Sequence, residues 1–173
     1  MTTKIKIKYL GDNHTIDVRL NGDWIDLYAR ETISISGPIA TTLKRTKNDS
    51  KRECVFEYAL IPLGIAVALP KGYEAILAPR SSTMKNFKVL QSNSIGIIDW
   101  SYRGENDEWK FPALALEDTT IEAGQRICQF RIQLSQKATI WQKLKWLFSN
   151  GVEIVEVKKL HSKDRGGFGT TGV

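Results

Sequence analysis

Three short segments of this 173-residue chain carry residue types that could do chemistry. The run from Gly96 to Glu105, Gly-Ile-Ile-Asp-Trp-Ser-Tyr-Arg-Gly-Glu, delivers one carboxylate, Asp99, at the end of an apolar stretch. Tyr102 follows three residues later, before a turn glycine. A carboxylate behind Ile95, Ile97 and Ile98 is expected to be partly desolvated, which raises its basicity and suits a general base acting on water. A strand-end aspartate that caps its own hairpin turn shows the same pattern. In the second segment, Ala78 to Thr83, the guanidinium fork of Arg80 stands beside the hydroxyls of Ser81, Ser82 and Thr83, and Pro79 stiffens the approach. Arginine pairs bidentately with phosphate oxygens, while hydroxyls and exposed amides satisfy the remaining acceptors. The third segment, Asp164 to Gly172, repeats this chemistry in a mobile form. Its glycines let N–H groups converge on an anion, Thr170 and Thr171 add hydroxyls, and Phe168 offers a flat apolar face.

The elements that must position these segments read as strands. The runs Lys4–Leu10, Ala59–Leu69, Glu74–Leu77, Gly96–Asp99, Ala113–Leu116 and Ile127–Leu134 are separated by Gly, Pro and Asn/Asp turns, a spacing that predicts an all-β barrel or sandwich. Ile5, Ile7 and Tyr9 alternate as one-sided burial requires. The length fits one domain, and 42% hydrophobic content supplies a core. The longest apolar stretch, 59–70, is interrupted by Pro62 and Gly64 and is too short to cross a bilayer. No secretory signal opens the chain, and Cys54 and Cys128 form neither a disulfide framework nor a metal pattern, so a reduced, cytoplasmic protein without a membrane partner is expected. His14 and His161 lack partners at metal spacing and are not assigned to zinc. The net charge of +6 gathers partly in Lys44, Arg45, Lys47, Lys51 and Arg52. No aromatics interleave with that cluster, so it reads as a solvated loop and no specific nucleic-acid partner is expected.

In their order along the chain these residues resemble the trimeric dUTPase (deoxyuridine triphosphatase) family, whose five motifs span nearly the whole length. The first resembles Asp26-Leu27-Tyr28-Ala29, the second Pro79-Arg80-Ser81-Ser82, and the third Asn93 through Glu105. The fourth resembles Gly124-Gln125-Arg126-Ile127-Cys128-Gln129, and the fifth Gly166 through Gly172. Five ordered matches over about 150 residues are far more specific than any one alone. The resemblance implies a single distorted, jelly-roll-like β-barrel over 1–160 and a mobile C-terminal tail, 161–173, that closes a neighbouring site in a homotrimer with shared active sites. It also implies hydrolysis of dUTP to dUMP and pyrophosphate, with Asp99 activating water for attack on the α-phosphorus. Arg80, Ser81, Ser82 and Gln129 would hold the phosphates, and Mg²⁺ would be chelated by them with Asp26 as an outer-shell contact. The hairpin backbone at Gly96 and Ile98, with the Asn93 amide, would read uracil. Tyr102 would press on the deoxyribose, Phe168 would stack on the base, and Gly169, Thr170 and Thr171 would wrap the γ-phosphate.

Departures from the family pattern are also visible. Asp23-Trp24-Ile25 puts bulk before Asp26 where small residues are usual, and either Lys163, by spacing, or Arg165, by type, is the fifth-motif cation. Trp109 is either a second aromatic wall or core. Two inserts stand out: a basic surface loop at 37–52 and a helix at 139–150, capped by Thr139 and ended by Gly151. Ile140, Trp141, Leu144, Leu147 and Phe148 form the helix's apolar face. That face packs on the barrel or across the trimer, or else docks a protein partner with an exposed Trp146 as anchor. Two alternatives belong to other classes: a dCTP deaminase of the same fold, and a nucleotide-gated regulatory binding module. The first needs a glutamate base where this hairpin has Asp99, which favours hydrolysis. The same reasoning fits a bacterial or a bacteriophage protein.

Overall fold

In the computed structural model, residues 2–11, 16, 23–42 and 52–167 are described, and they form fourteen strands and two helices. The fold is all-β, as expected. Four strands position the site: β8 (Tyr73–Pro79), β10 (Gly96–Asp99), β13 (Arg126–Leu134) and β2 (Ile25–Tyr28) lie in the order β10-β8-β13-β2. Along β8, Tyr73, Ala75 and Leu77 face the core, and Cys128, Phe130 and Ile132 of β13 join them. The period-two alternation turns the intervening residues to the opposite face.

Other strands close the core from the remaining sides. In β1 (Thr3–Tyr9), Ile5 and Ile7 are buried between exposed lysines, as the alternation predicts. β1 runs antiparallel to β7 (Ile65–Ala68) and parallel to β14 (Val152–Glu156). A further sheet orders β6 (Tyr58–Pro62), β11 (Lys110–Ala115) and β9 (Val89–Gln91), and β3 (Ile33–Ile35) pairs with β12 (Thr119–Ile121). At the centre Trp109 is fully buried, edge-on to Phe130 at 5.2 Å. That settles Trp109 as core, its rim reaching the cavity described below.

Four expectations need correction. The run 59–69 is two strands in different sheets, because Gly64 takes φ +69° and turns the chain. The insert at 37–52 is not simply a loop: β4 (Ile39–Thr42) and β5 (Arg52–Val55) pair as an antiparallel ribbon, with 43–51 outside the described residues. The helix over 139–150 is shorter, α2 at Ile140–Leu147. Its start is as expected, since Thr139 and Gln142 form a reciprocal capping box. Trp146 is not an exposed anchor but packs on Tyr73, with ring centroids 5.9 Å apart. Ile140, Trp141, Leu147 and Phe148 are exposed on this chain. No helix among the described residues is long and apolar enough to cross a membrane.

Truncating Phe130 leaves a cavity beneath Trp109. Phe130→Ala is expected to cost about 3–5 kcal/mol of stability in denaturant unfolding, and a loss near 1 kcal/mol would show that the Trp109–Phe130 pair is not the centre of the core.

Candidate active site

Two clusters of functional side chains form at opposite ends of β8. At the far end, residues from the first, second and fourth motifs meet. The register places Asp26 opposite Gln129, and Gln129 opposite Ala78. Arg80 leaves the end of β8, and its Nε donates to Asp26 Oδ1 at 2.8 Å. Arg126 Nη1 reaches the other oxygen, Oδ2, at 3.2 Å. Ser82 Oγ lies 3.4 Å from Arg80 Nη1, Ser81 is exposed, and Gln129 Nε2 donates to Pro79 O at 3.3 Å. Thr83 turns inward instead. It is fully buried, accepts the Arg80 N–H and donates to Ile127 O at 2.6 Å, so it pins the Arg80 turn to β13. The group is an arginine-rich, hydroxyl-bearing surface suited to phosphate.

At the near end, β10 pairs with β8 so that Asp99 lies opposite Glu74 and Gly96 opposite Leu77. A cavity of about 260 Å³ opens here, lined by Asn93, Gly96, Ile98, Asp99, Tyr102 and Arg165 among others. A side-chain Cβ would be crowded at Gly96, where it would come 3.0 Å from Leu77 Cβ. The Tyr102 hydroxyl donates to Glu108 O at 2.8 Å, which fixes its ring along the cavity wall. Burial, then the charges of Asp107, Glu108 and Asp164, push its pKa up to about 12, so it remains a neutral donor.

Asp99 departs from expectation in its environment. Its side chain is half exposed, and its partial burial does not decide its basicity. Burial pushes its pKa up, but the Ser101 hydroxyl and amide, then Arg165 and Lys137, outweigh burial and set the carboxyl below the usual aspartate value. Both Ser101 groups sit on Oδ1, at 2.5 and 2.7 Å, so the turn-capping role is filled by one oxygen. Arg165 Nη1 lies 3.5 Å from Oδ2. Of the two candidate cations, Arg165 is therefore the one brought to Asp99, whereas Lys163 is exposed on the tail.

The tail reaches this position through carboxylates that sequence reasoning missed. Asp107, 2% exposed, accepts the N–H groups of Gly104, Arg165 and Gly166 at 2.8–3.0 Å. Asp164 accepts both the backbone and side-chain N–H of Asn106. Glu105 accepts Lys8 Nζ and the His161 N–H, which hold its pKa down at about 2. Gly104 allows the approach, because a Cβ there would overlap the Asp164 main chain. Up to Gly167 the tail thus lies along the segment between β10 and β11 of its own protomer. Phe168, Gly169, Thr170 and Thr171 lie outside the described residues.

Comparisons with known proteins point to one family. The family model for dUTPase matches residues 46–146. The SPbeta prophage-derived deoxyuridine 5'-triphosphate nucleotidohydrolase of Bacillus subtilis is 47% identical over 98% of both chains. Among solved structures, a dUTPase from Streptococcus mutans aligns with TM-score 0.60 at 18% identity, over 78% of this chain and 98% of its own. A dUTPase from phage phi11 of S. aureus, described with a structural Mg(II) ion, aligns with TM-score 0.58 at 14% identity, over 79% of this chain and 94% of its own. These structural likenesses show the same fold.

The tail's attachment is testable apart from any reaction. Asp107→Ala should release the Arg165 and Gly166 amides, speeding their hydrogen exchange by about tenfold or more while exchange in β8 and β13 stays slow. Unchanged exchange would show that other contacts hold the tail. Because Glu105 titrates lower in the folded protein, its tie to Lys8 and His161 is fully present above its ordinary pKa of 4.5 and is lost as pH falls toward about 2. The His161 amide resonance should report that loss in the same window.

Proposed function

The chain belongs to the dUTPase family, and we propose how its residues divide the work of hydrolysing dUTP to dUMP and pyrophosphate. Asp99 orients a water and accepts its proton as the water oxygen attacks the α-phosphorus. The bond from that phosphorus to the bridging oxygen breaks, and the electron pair leaves with pyrophosphate. Asp99 is ionised at neutral pH because Ser101 and Arg165 stabilise the carboxylate, and with Oδ1 held by Ser101 the water is received at Oδ2. Arg80, Ser81, Ser82 and Gln129 bind the phosphates, and Arg165 adds a cation beside the base. Positioning and charge stabilisation supply most of the acceleration in such chemistry.

The observation that carries the wider arrangement is the separation of the two clusters. Asp99 sits beside Glu74, and Arg80 is six residues further along. At about 3.3 Å per residue the distance is roughly 20 Å, while the α and γ phosphorus atoms of one nucleotide are a few ångströms apart. One protomer therefore does not gather both clusters around one substrate. We propose a homotrimer in which the cavity and Asp99 of one copy face the Arg80, Asp26 and Gln129 surface of another. Phe168 to Thr171 would cover the bound nucleotide, Phe168 on the base and the threonines on the γ-phosphate.

Magnesium enters this reading only as far as the donor set allows. Among the described residues no group of three or more His, Cys, Asp or Glu side chains could cage a metal, and Asp26 already bridges two arginines. This set fits a hydrated Mg²⁺ carried on the triphosphate, with Asp26 touching it through water; when bound, the ion neutralises charge that develops on the phosphates. Holding Arg80 and Arg126 in place is the part of that work the chain does itself.

Asp99→Asn is expected to lower dUTP turnover by about 10²–10⁴-fold while binding of a non-hydrolysable analogue persists. In the wild type, the acid limb due to Asp99 should lie below pH 3.8, since its folded pKa is depressed. Mixing equal amounts of inactive Asp99→Asn and Arg80→Ala chains under exchange conditions tests the shared site. If Asp99 and Arg80 come from different copies, half of the sites have the first and half of those the second, and activity returns to about a quarter of wild type. No recovery would place both residues in one protomer's site.

A further inference from the structure

Gln91 closes β9 ahead of the turn that leads to β10 and is 8% exposed. Its Nε2 donates to Leu77 O at 3.3 Å and to Asn93 Oδ1 at 2.9 Å. A main-chain carbonyl carries lone pairs and no hydrogen, so it must meet the NH₂ end of the Gln91 amide. The reversed amide would set two oxygens against each other and strand the donor. With Nε2 fixed in this way, its second N–H engages Asn93 Oδ1, and Asn93 is fixed in turn. The Asn93 oxygen is committed to Gln91, and its NH₂ is the end left for the cavity that Asn93 lines.

This orientation has a visible cost. Gln91 Oε1 is buried without a hydrogen-bond partner among the described residues. A leucine or methionine would fill the same space and leave no orphan acceptor, so packing alone does not account for a glutamine here. Gly96 belongs to the same device. A Cβ there would come 3.3 Å from Gln91 Nε2 and 3.0 Å from Leu77 Cβ, so glycine lets the hairpin edge close over the amide chain.

We propose that Gln91 is the positioning residue for base selection: through the relay from Leu77 O to Asn93 Oδ1 it holds the Asn93 NH₂ toward the cavity. The site then receives a pyrimidine with a carbonyl at position 4 and rejects one with an amino group there. Uracil O4 accepts from that NH₂, whereas cytosine presents its own N–H groups and leaves donors on both sides unpaired. This inference rests on the dUTP reading above and extends it to a residue that does not touch the substrate.

The experiment compares kcat/KM for dUTP and dCTP in the wild type, Asn93→Ala, Gln91→Met and Gln91→Glu, with thermal melting of each. Methionine keeps the volume and removes the donor, so the Asn93 amide can turn over. Preference for dUTP should fall by about tenfold or more, mainly through faster dCTP turnover. Glutamate accepts from Asn93 but cannot donate, which turns the Asn93 oxygen outward and lowers the preference further. A purely structural role for Gln91 would reduce both substrates equally and leave their ratio intact, which overturns the proposal. So would an intact ratio in Gln91→Met while Asn93→Ala loses it. An intact ratio in Asn93→Ala removes the role of Asn93 in base reading, and no dUTP hydrolysis by the wild type removes the underlying function. If Gln91→Glu does not fold, the Gln91→Met ratio decides.

Discussion

The hydrogen-bond register of β8 is the constraint on which the site depends. This strand is paired on both sides, to β10 along one edge and β13 along the other. A slip of one residue would turn Tyr73, Ala75 and Leu77 out of the core. The burial of those side chains therefore locks the register, and the register locks the distance between Asp99 and Arg80. Neither functional cluster has freedom to move toward the other within one protomer. The separation of the two clusters along one strand is thus a consequence of how the core is packed, and in the proposed homotrimer a second copy would supply what the strand keeps apart.

The two arginines at those ends are held differently, and the difference matches the tasks proposed for them. Arg80 is anchored three ways: Nε to Asp26, Nη1 near Ser82 Oγ, and backbone N–H to Thr83. Its side chain is mostly covered, at 25% exposure, so its fork is presented in one direction. Pre-orientation of this kind lowers the entropy cost of binding a phosphate. Arg165 has its backbone fixed by Asp107 but an exposed side chain, 3.5 Å from Asp99. An exposed pair at that distance contributes at most about 1 kcal/mol. The guanidinium can therefore leave Asp99 for an incoming anion at little cost while its main chain stays in place.

Much of this could be read from the sequence, and the failures have physical causes. Strong period-two runs such as Lys4–Leu10 and Ile127–Leu134 appear nearly where expected, because one-sided burial writes itself into alternation. Short edge elements were invisible. β3 and β12 have three residues each, too few to establish a period, and they exist through pairing with one another. The residues of the site were legible by type, but their environments were not. Asp99 follows three isoleucines in sequence, yet Ile97 is itself 64% exposed, and the desolvation that remains is outweighed by Ser101, Arg165 and Lys137. Gln91 and Asp107 carried no signal at all. A polar residue near a turn looks solvated in sequence, and only long-range contacts reveal that Asp107 is buried against a tail about 58 residues away.

Those same long-range contacts explain why the tail is held without demanding much of its sequence. Asp107, Asp164 and Glu105 receive main-chain N–H groups, at Arg165, Gly166, Asn106 and His161. Charge-assisted bonds to backbone donors fix the path of the chain while leaving the tail's side chains uncommitted. Two of these carboxylates, Glu105 and Asp107, come from the segment after β10 that also carries Tyr102, so the tail is registered against the residues that follow Asp99. Gly167 lies on the Tyr102 ring, where an added Cβ would come 3.1 Å from Cε2. The Tyr102 ring and the last described residue of the tail are therefore packed together. Any shift of the segment after β10 therefore carries the tail up to Gly167 with it, which keeps Arg165 close to Asp99.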